Sequence, residues 1–193
     1  MTSSRPASGA DGPRDRLLAT ASALFYEEGI HAIGIDRIVS EAGVPRATLY
    51  RHFAGKEGLV LAYLRGEDAA IRGLAAAAAA APAHEQLGLA IQAIAADIAE
   101  RHTRGCPCIN AAAEYPDPTS DVRVLIDSHR TWFRGTLAAA AAAAGVEDAD
   151  GAAAQLVMLR DAALVGGYLD GADGVARTFT SAARAVTGTG PSA

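Results

Sequence analysis

Six side chains between positions 46 and 56 stand out for their chemistry: Arg46, Thr48, Tyr50, Arg51, His52 and Lys56. Each can donate a hydrogen bond, and no carboxylate interrupts them within that window. A guanidinium fork matches a phosphate or the O6 and N7 edge of guanine. Arg46, at the start of its segment, is best placed for guanine, and Arg51 suits either partner. Thr48 can touch a thymine methyl or a phosphate, and Ala47 leaves room for such a methyl without adding a donor. Tyr50, His52 and Lys56 suit phosphate oxygens, contacts that position a duplex without reading its sequence.

Presenting this set requires a short rigid helix on a firm base. Ile35, Ile38, Val39 and Ala42 recur at helical spacing and predict one apolar face. Gly43 then supplies the backbone freedom of a tight inter-helix turn. Leu49 and Phe53, four residues apart, predict the buried side of a second short helix, with the donors facing outward. Two short helices of this form, the second bearing the donors, match a helix-turn-helix and its recognition helix. Such a motif discriminates best as a symmetric pair with recognition helices about 34 Å apart, or a multiple of that.

The stretch AGVPRATLYRHFAGKEGLV resembles the signature of TetR-type (tetracycline-repressor-like) transcriptional regulators, and the amphipathic segment from Arg14 to Glu28 resembles that family's first helix. The resemblance covers roughly residues 11 to 71. It departs at Pro45, where a capping Ser is frequent; proline suits a helix start but accepts no capping bond. The resemblance implies an all-α fold in two parts. A three-helix helix-turn-helix domain for DNA binding would span residues 11–71, with the motif itself at 34–53. A helical ligand-binding and dimerisation domain would span 72–188. It implies a homodimeric repressor on a palindromic double-stranded DNA operator, released by a small-molecule effector, with no cofactor. Family DNA contacts fall on positions 46, 47, 48, 50, 52 and 56, and the last two helices would pair with their twins as a four-helix bundle.

Composition agrees with helices. Half of the 193 residues are apolar, much of that alanine, and no stretch alternates at period two. The net charge of −5 divides unevenly: residues 1–72 hold nine basic and nine acidic side chains, residues 73–193 eight and thirteen. A local basic strip on an acidic molecule suits DNA contact through one surface. The alanine runs at 75–81 and 138–144 are too short to cross a bilayer. No apolar leader precedes them, so a cytoplasmic protein with no membrane partner is expected.

Residues 1–12 read as a disordered arm. Helices are predicted over Pro13 to Glu28, from near Lys56 to about Ala81, from Glu85 to Thr103, from Thr119 or Ser120 to Ala144, from Gly151 to Leu169 and from Gly174 to Val186. Val175, Phe179, Ala182 and Val186 mark the inner stripe of the last, and residues 188–193 read as a frayed tail. The segment Gly105 to Pro118 reads as irregular at both ends, with about two helical turns between. The fourth helix, joining the donor strip to the second half, is the natural mechanical link.

The second half offers His102, Cys106, Cys108, Asn110, Tyr115, His129, Trp132, Phe133, Met158, Asp161 and Tyr168 as lining for a ligand cavity. His102, Cys106 and Cys108 alternatively suggest a metal- or redox-responsive site, since they offer three soft ligands or a thiol pair. No nucleophile–base–acid spacing, Gly-rich phosphate loop or HExxH motif appears, which argues against an enzyme.

Overall fold

The structure is a computed structural model that describes residues 12 to 189. The expected N-terminal arm and the last four residues lie outside the described residues. Helices follow one another as α1 (Pro13–Glu28), α2 (Ile35–Glu41), α3 (Arg46–His52), α4 (Gly55–Ala79) and α5 (Ala83–Ala96). A π-helical turn, Asp97–Arg101, continues α5. Then come α6 (Pro107–Glu114), α7 (Asp121–Ala143), α8 (Ala149–Asp170) and α9 (Ala172–Thr187). The described residues contain no strand, and the fold is all-α.

The first three helices form around Leu17, Ala21, Ile38 and Leu49, none of which has measurable exposure. Burying a side chain such as Leu49 contributes about 1.5–3 kcal/mol, which is what a seven-residue helix needs to hold its place. Gly43 adopts φ +62°, and the Val44 and Gly43 amides close the turn on Val39 and Ser40 carbonyls at 3.0 and 3.2 Å. Pro45 starts α3 with no side-chain cap, while its carbonyl accepts from Thr48 N at 2.8 Å.

In the second half α7 packs on α4, α5 and α8, and α8 packs along α9. Ser120 caps α7 by accepting from Arg123 N at 3.3 Å. The irregular segment holds α6, an eight-residue helix. The buried stripe of α9 is Ala176, Phe179, Ala183 and Thr187, of which only Phe179 belongs to the stripe read from the sequence. Val175, Ala182 and Val186 are half-buried; Val175 lies over Gly166 of α8, while the fully buried stripe runs one position further round the helix.

Two adjacent carboxylates on α4 tie the halves together. Glu67 Oε2 lies 3.2 Å from His102 Nε2, and Asp68 Oδ1 lies 2.7 Å from His129 Nδ1. His102 Nδ1 meets Asp97 Oδ2 at 2.8 Å, so His102 bridges the π turn and α4. A second tie joins α6 to the N-terminal helices. Glu114 accepts from the backbone amides of Ile30 and His31 at 2.7 and 2.5 Å. Nearby, Arg104 N donates to Tyr26 Oη at 2.7 Å, and Tyr26 Oη donates to the Gly105 carbonyl at 3.1 Å.

Burial alone would lower the His102 pKa, but its bonds to Asp97 and Glu67 outweigh that and raise it to about 9. The extra stability is fully present below the unfolded-state value near 6.5 and is lost as pH rises through about 9. Urea unfolding of the wild type should therefore lose at most about 3 kcal/mol across that window relative to His102→Gln, whose side chain does not titrate. Parallel pH profiles for the two proteins would show that His102 is not held as a cation.

Candidate nucleic-acid interface and cavity

The outward face of α3 gathers the donors predicted for it. Arg46, Ala47, Tyr50, Arg51 and His52 are exposed, Thr48 is half-buried, and Leu49 and Phe53 turn inward. Arg46 and Tyr50 lie one turn apart, with guanidinium Nη2 donating to the phenol oxygen at 3.4 Å and its carbon 5.9 Å from the ring centre. The strip is not free of acids in space, however. Asp36, in the first turn of α2, pairs with Arg46 Nη1. The hydrogen bond to Tyr50 and the charge of Asp36 raise the Arg46 pKa. Lys56, at the start of α4, is half-buried, and burial lowers its pKa despite the field of Glu114.

The eleven side chains expected to line a ligand cavity do not line one together, although the rings of His129, Trp132 and Phe133 pack with centres 5.9 to 6.3 Å apart. A cavity of about 230 Å³ opens between α4, α5, α7 and α8, and only Phe133 of the eleven lines it. Its walls are chiefly alanines of α4, α5 and α7, with Gln86, Asp97, Thr136 and Arg160 as its polar members. Cys108 and Asp161 line a different hollow of about 400 Å³, a more charged one with Arg123, Asp127 and Arg130. Met158 and Tyr168 lie exposed on α8. His102 and His129 hold the α4 carboxylates. Asn110 donates to the Arg104 carbonyl at 3.1 Å, Tyr115 lies 5.3 Å from the His31 ring, and Trp132 sits under Arg72 at 4.0 Å.

The metal or redox alternative is not favoured by this arrangement. Both His102 nitrogens face carboxylates rather than the cysteines. Among the described residues no group of three or more His, Cys, Asp or Glu side chains is arranged to hold a metal ion. Both thiols are buried. The Cys108 bond and, against burial, the Arg160 charge hold the Cys106 pKa well below the thiol range; the same bond and burial push Cys108 up. Arg160 Nη1 stands 3.6 Å from Cys106 Sγ, a contact that helps keep this guanidinium inside the protein.

Comparison with known proteins places this geometry. Residues 17–63 match the family described as bacterial regulatory proteins, tetR family. The chain is 44% identical to a TetR-family transcriptional regulator from Streptomyces coelicolor of known crystal structure. That similarity covers 92% of this chain and 95% of the other, at a TM-score of 0.87. The chain belongs to the TetR family. As a TetR-family protein it is a transcriptional regulator and not an enzyme.

Among curated relatives, the activator FasR of Mycolicibacterium smegmatis is 46% identical over 55 residues, and the repressor KstR2 of Rhodococcus jostii 42% over 59. Those matches take in 28% and 31% of this chain and 25% and 29% of the relatives, so the chain matches only about a quarter of their length. One relative activates and one represses, so the matched segment does not carry the sign of regulation. Among the described residues no helix of this TetR-family regulator is long and apolar enough to cross a membrane.

Sequence reasoning missed Asp36 and Glu114. Asp36 lies ten positions before Arg46 and meets it only through the helix-turn-helix, whereas the acid count was made along the chain. Asp36→Ala frees Arg46 and removes a negative charge from the donor face. It is expected to tighten binding of random duplex about two- to five-fold at low salt, with a smaller gain at high salt. Fluorescence anisotropy titrations measure this, and unchanged affinity would mean that the pair does not restrain Arg46.

Proposed function

We propose that this TetR-family regulator is a homodimeric, cytoplasmic repressor that binds a palindromic operator through α3 and leaves it when a small molecule fills the α4–α5–α7–α8 cavity. The observation that carries the proposal is the shared helix. α4 starts beside α3 at Gly55 and supplies the cavity wall from Ile71 to Ala79. The two histidine ties at Glu67 and Asp68 lie between those ends. A ligand that shifts α4 in the cavity therefore changes the support of α3.

Roles on the donor face follow from placement. Arg46 reads a base edge, Thr48 and Ala47 meet a thymine methyl, and Tyr50, Arg51, His52 and Lys56 hold phosphates. Because Lys56 is half-buried, its contribution rests as much on the N-terminus of α4 as on its own reach. The domain division at about residue 71 follows from the same reading. We put the second copy against α8; what supports this is that Met158, Val165 and Leu169 are exposed there at helical spacing beside Tyr168. A contiguous apolar stripe of this kind is characteristic of an interface between chains.

Gel-shift assays with the promoter flanking the protein's own gene test the DNA half of the proposal. A salt-sensitive, sequence-selective shift is expected, weakened about ten- to a hundred-fold and made less selective by Arg46→Ala. Absence of any selective shift would refute operator binding there. The switching half obeys reciprocity. Operator DNA must weaken effector binding by the factor by which effector weakens DNA binding, typically about 5–150-fold. Calorimetric titration of an effector with and without saturating operator checks this, and equal affinities would show that cavity ligands do not switch the protein.

A further inference from the structure

The alanine runs find a use in the cavity. Ala75, Ala78 and Ala79 on α4 face Ala90 and Ala93 on α5 and Ala140 on α7 across it. Small side chains on three packed helices leave space that leucines would fill, so this volume is built into the sequence. The cavity runs along α5 from Gln86 to Asp97, about 16 Å at the helical rise. Its outer end, at Leu74 and Ala79, is exposed, while at the inner end Asp97 and Arg160 are 7% and 4% exposed.

That inner end is polar and incompletely satisfied. Asp97 Oδ2 bonds His102, but Oδ1 is buried and accepts no hydrogen bond among the described residues. Its neighbouring cation, Arg101 Nε, stands 3.9 Å away. Arg160 lines the same cavity, with its guanidinium carbon 5.2 Å from the Phe133 ring centre. Among the described residues, both of its hydrogen bonds, to Cys106 Sγ and Asp161 Oδ1, leave from Nη1. The inner end therefore brings a carboxylate with one unbonded oxygen and a guanidinium bonded only through Nη1 to the polar end of an otherwise apolar tube.

We infer that the cavity takes an uncharged, elongated, largely apolar molecule ending in a hydroxyl group, which donates to Asp97 and accepts from Arg160. A hydroxyl both donates and accepts, so one group meets both demands. A carboxylate would suit Arg160 but face Asp97, and an ammonium would suit Asp97 but face Arg160 and the His102 cation. Like charges brought together in a water-poor cavity are strongly disfavoured. The apolar body lies against the alanine walls, Ile71, Ile94 and Leu137. This assignment deepens, and rests on, the reading of the second half as a ligand-binding unit.

The test is calorimetric titration of the full chain with 4-butylphenol and 1-octanol as hydroxyl probes. 4-Butylanisole lacks the donor, and 4-butylbenzoate carries the charge. Both hydroxyl probes are expected to bind, and 4-butylphenol should bind at least about ten-fold more tightly than the ether or the carboxylate, the worth of one satisfied buried hydrogen bond. Ala93→Leu and Ala78→Leu, on facing helices, should each abolish binding while retaining a cooperative thermal melt. Equal affinity for ether and phenol, tighter binding of the benzoate, or no binding by either hydroxyl probe would each overturn the inference. Undiminished binding by a folded Ala93→Leu protein would also overturn it. Release of operator DNA is read separately. If 4-butylphenol binds in the expected order and the DNA stays bound, the switching proposal fails while the ligand class stands. If no probe binds but a selective operator shift is seen, the ligand class fails while operator binding stands.

Discussion

A buried histidine needs partners, and here two of them choose neighbouring carboxylates on one helix. Glu67 faces His102 and Asp68 faces His129, so α4 is gripped at consecutive residues by the π turn and by α7. Consecutive residues on a helix point about 100° apart, which fixes the rotation of α4 as well as its height. Rotating α4 would strand a carboxylate or an imidazole among apolar neighbours, at a cost of a few kcal/mol for each group left unpaired. Arg72, bonded to Asp68 at 2.8 Å and stacked on Trp132 at 4.0 Å, extends the grip by one further turn. Everything N-terminal to Glu67 inherits its position relative to the second half partly from these bonds.

The π turn belongs to the same constraint. One extra residue in the turn places Asp97 and His102 five apart and within 2.8 Å of one another, with the His102 amide donating to the Asp97 carbonyl at 3.1 Å. Insertions of this type are frequent at functional positions because they redirect side chains without breaking the helix. Here the redirected residue is Asp97, which bonds His102 on one side and lines the cavity on the other. The single continuous helix expected from Glu85 to Thr103 carries the right apolar stripe, but periodicity does not reveal a local change of winding.

What the sequence disclosed divides along contact range. The recognition segment was legible because its determinants are local: Gly43 at the turn, Leu49 and Phe53 one turn apart, and donors on the remaining face. The cavity was not legible, because aromatic and polar side chains are what mark a lining in a sequence, whereas space in a protein is made by residues that fail to fill it. Ala75, Ala78, Ala90 and Ala93 looked like helix formers and nothing more. His129 and His102 were drawn into the expected lining by their chemistry, although a paired carboxylate elsewhere in the chain already accounted for each. Glu114 ends a short helix with no pattern around it, and its partners are 83 and 84 positions away. The lengths of α4, α7 and α8 were read to within two residues at each end, since alanine-rich periodic segments and their breakers are local signals too.

The two ties between the halves differ in what can disturb them. Glu114 accepts from backbone amides in a loop, a contact that the cavity walls do not touch. The Asp97–His102–Glu67 chain begins at the cavity itself. Asp97 has two oxygens: one holds His102, and through it Glu67 on α4, while the other accepts no hydrogen bond among the described residues. A donor arriving at the vacant oxygen would withdraw charge from the carboxylate and weaken its hold on the imidazole, because hydrogen bonds in such a chain polarise one another. His102 would then lean toward Glu67 or release it, and the grip of the second half on α4 would change with it. On this argument the signal needs no long lever. One carboxylate lines the cavity and, through His102, holds the helix that supports α3, which is the shortest route the proposed switch could take.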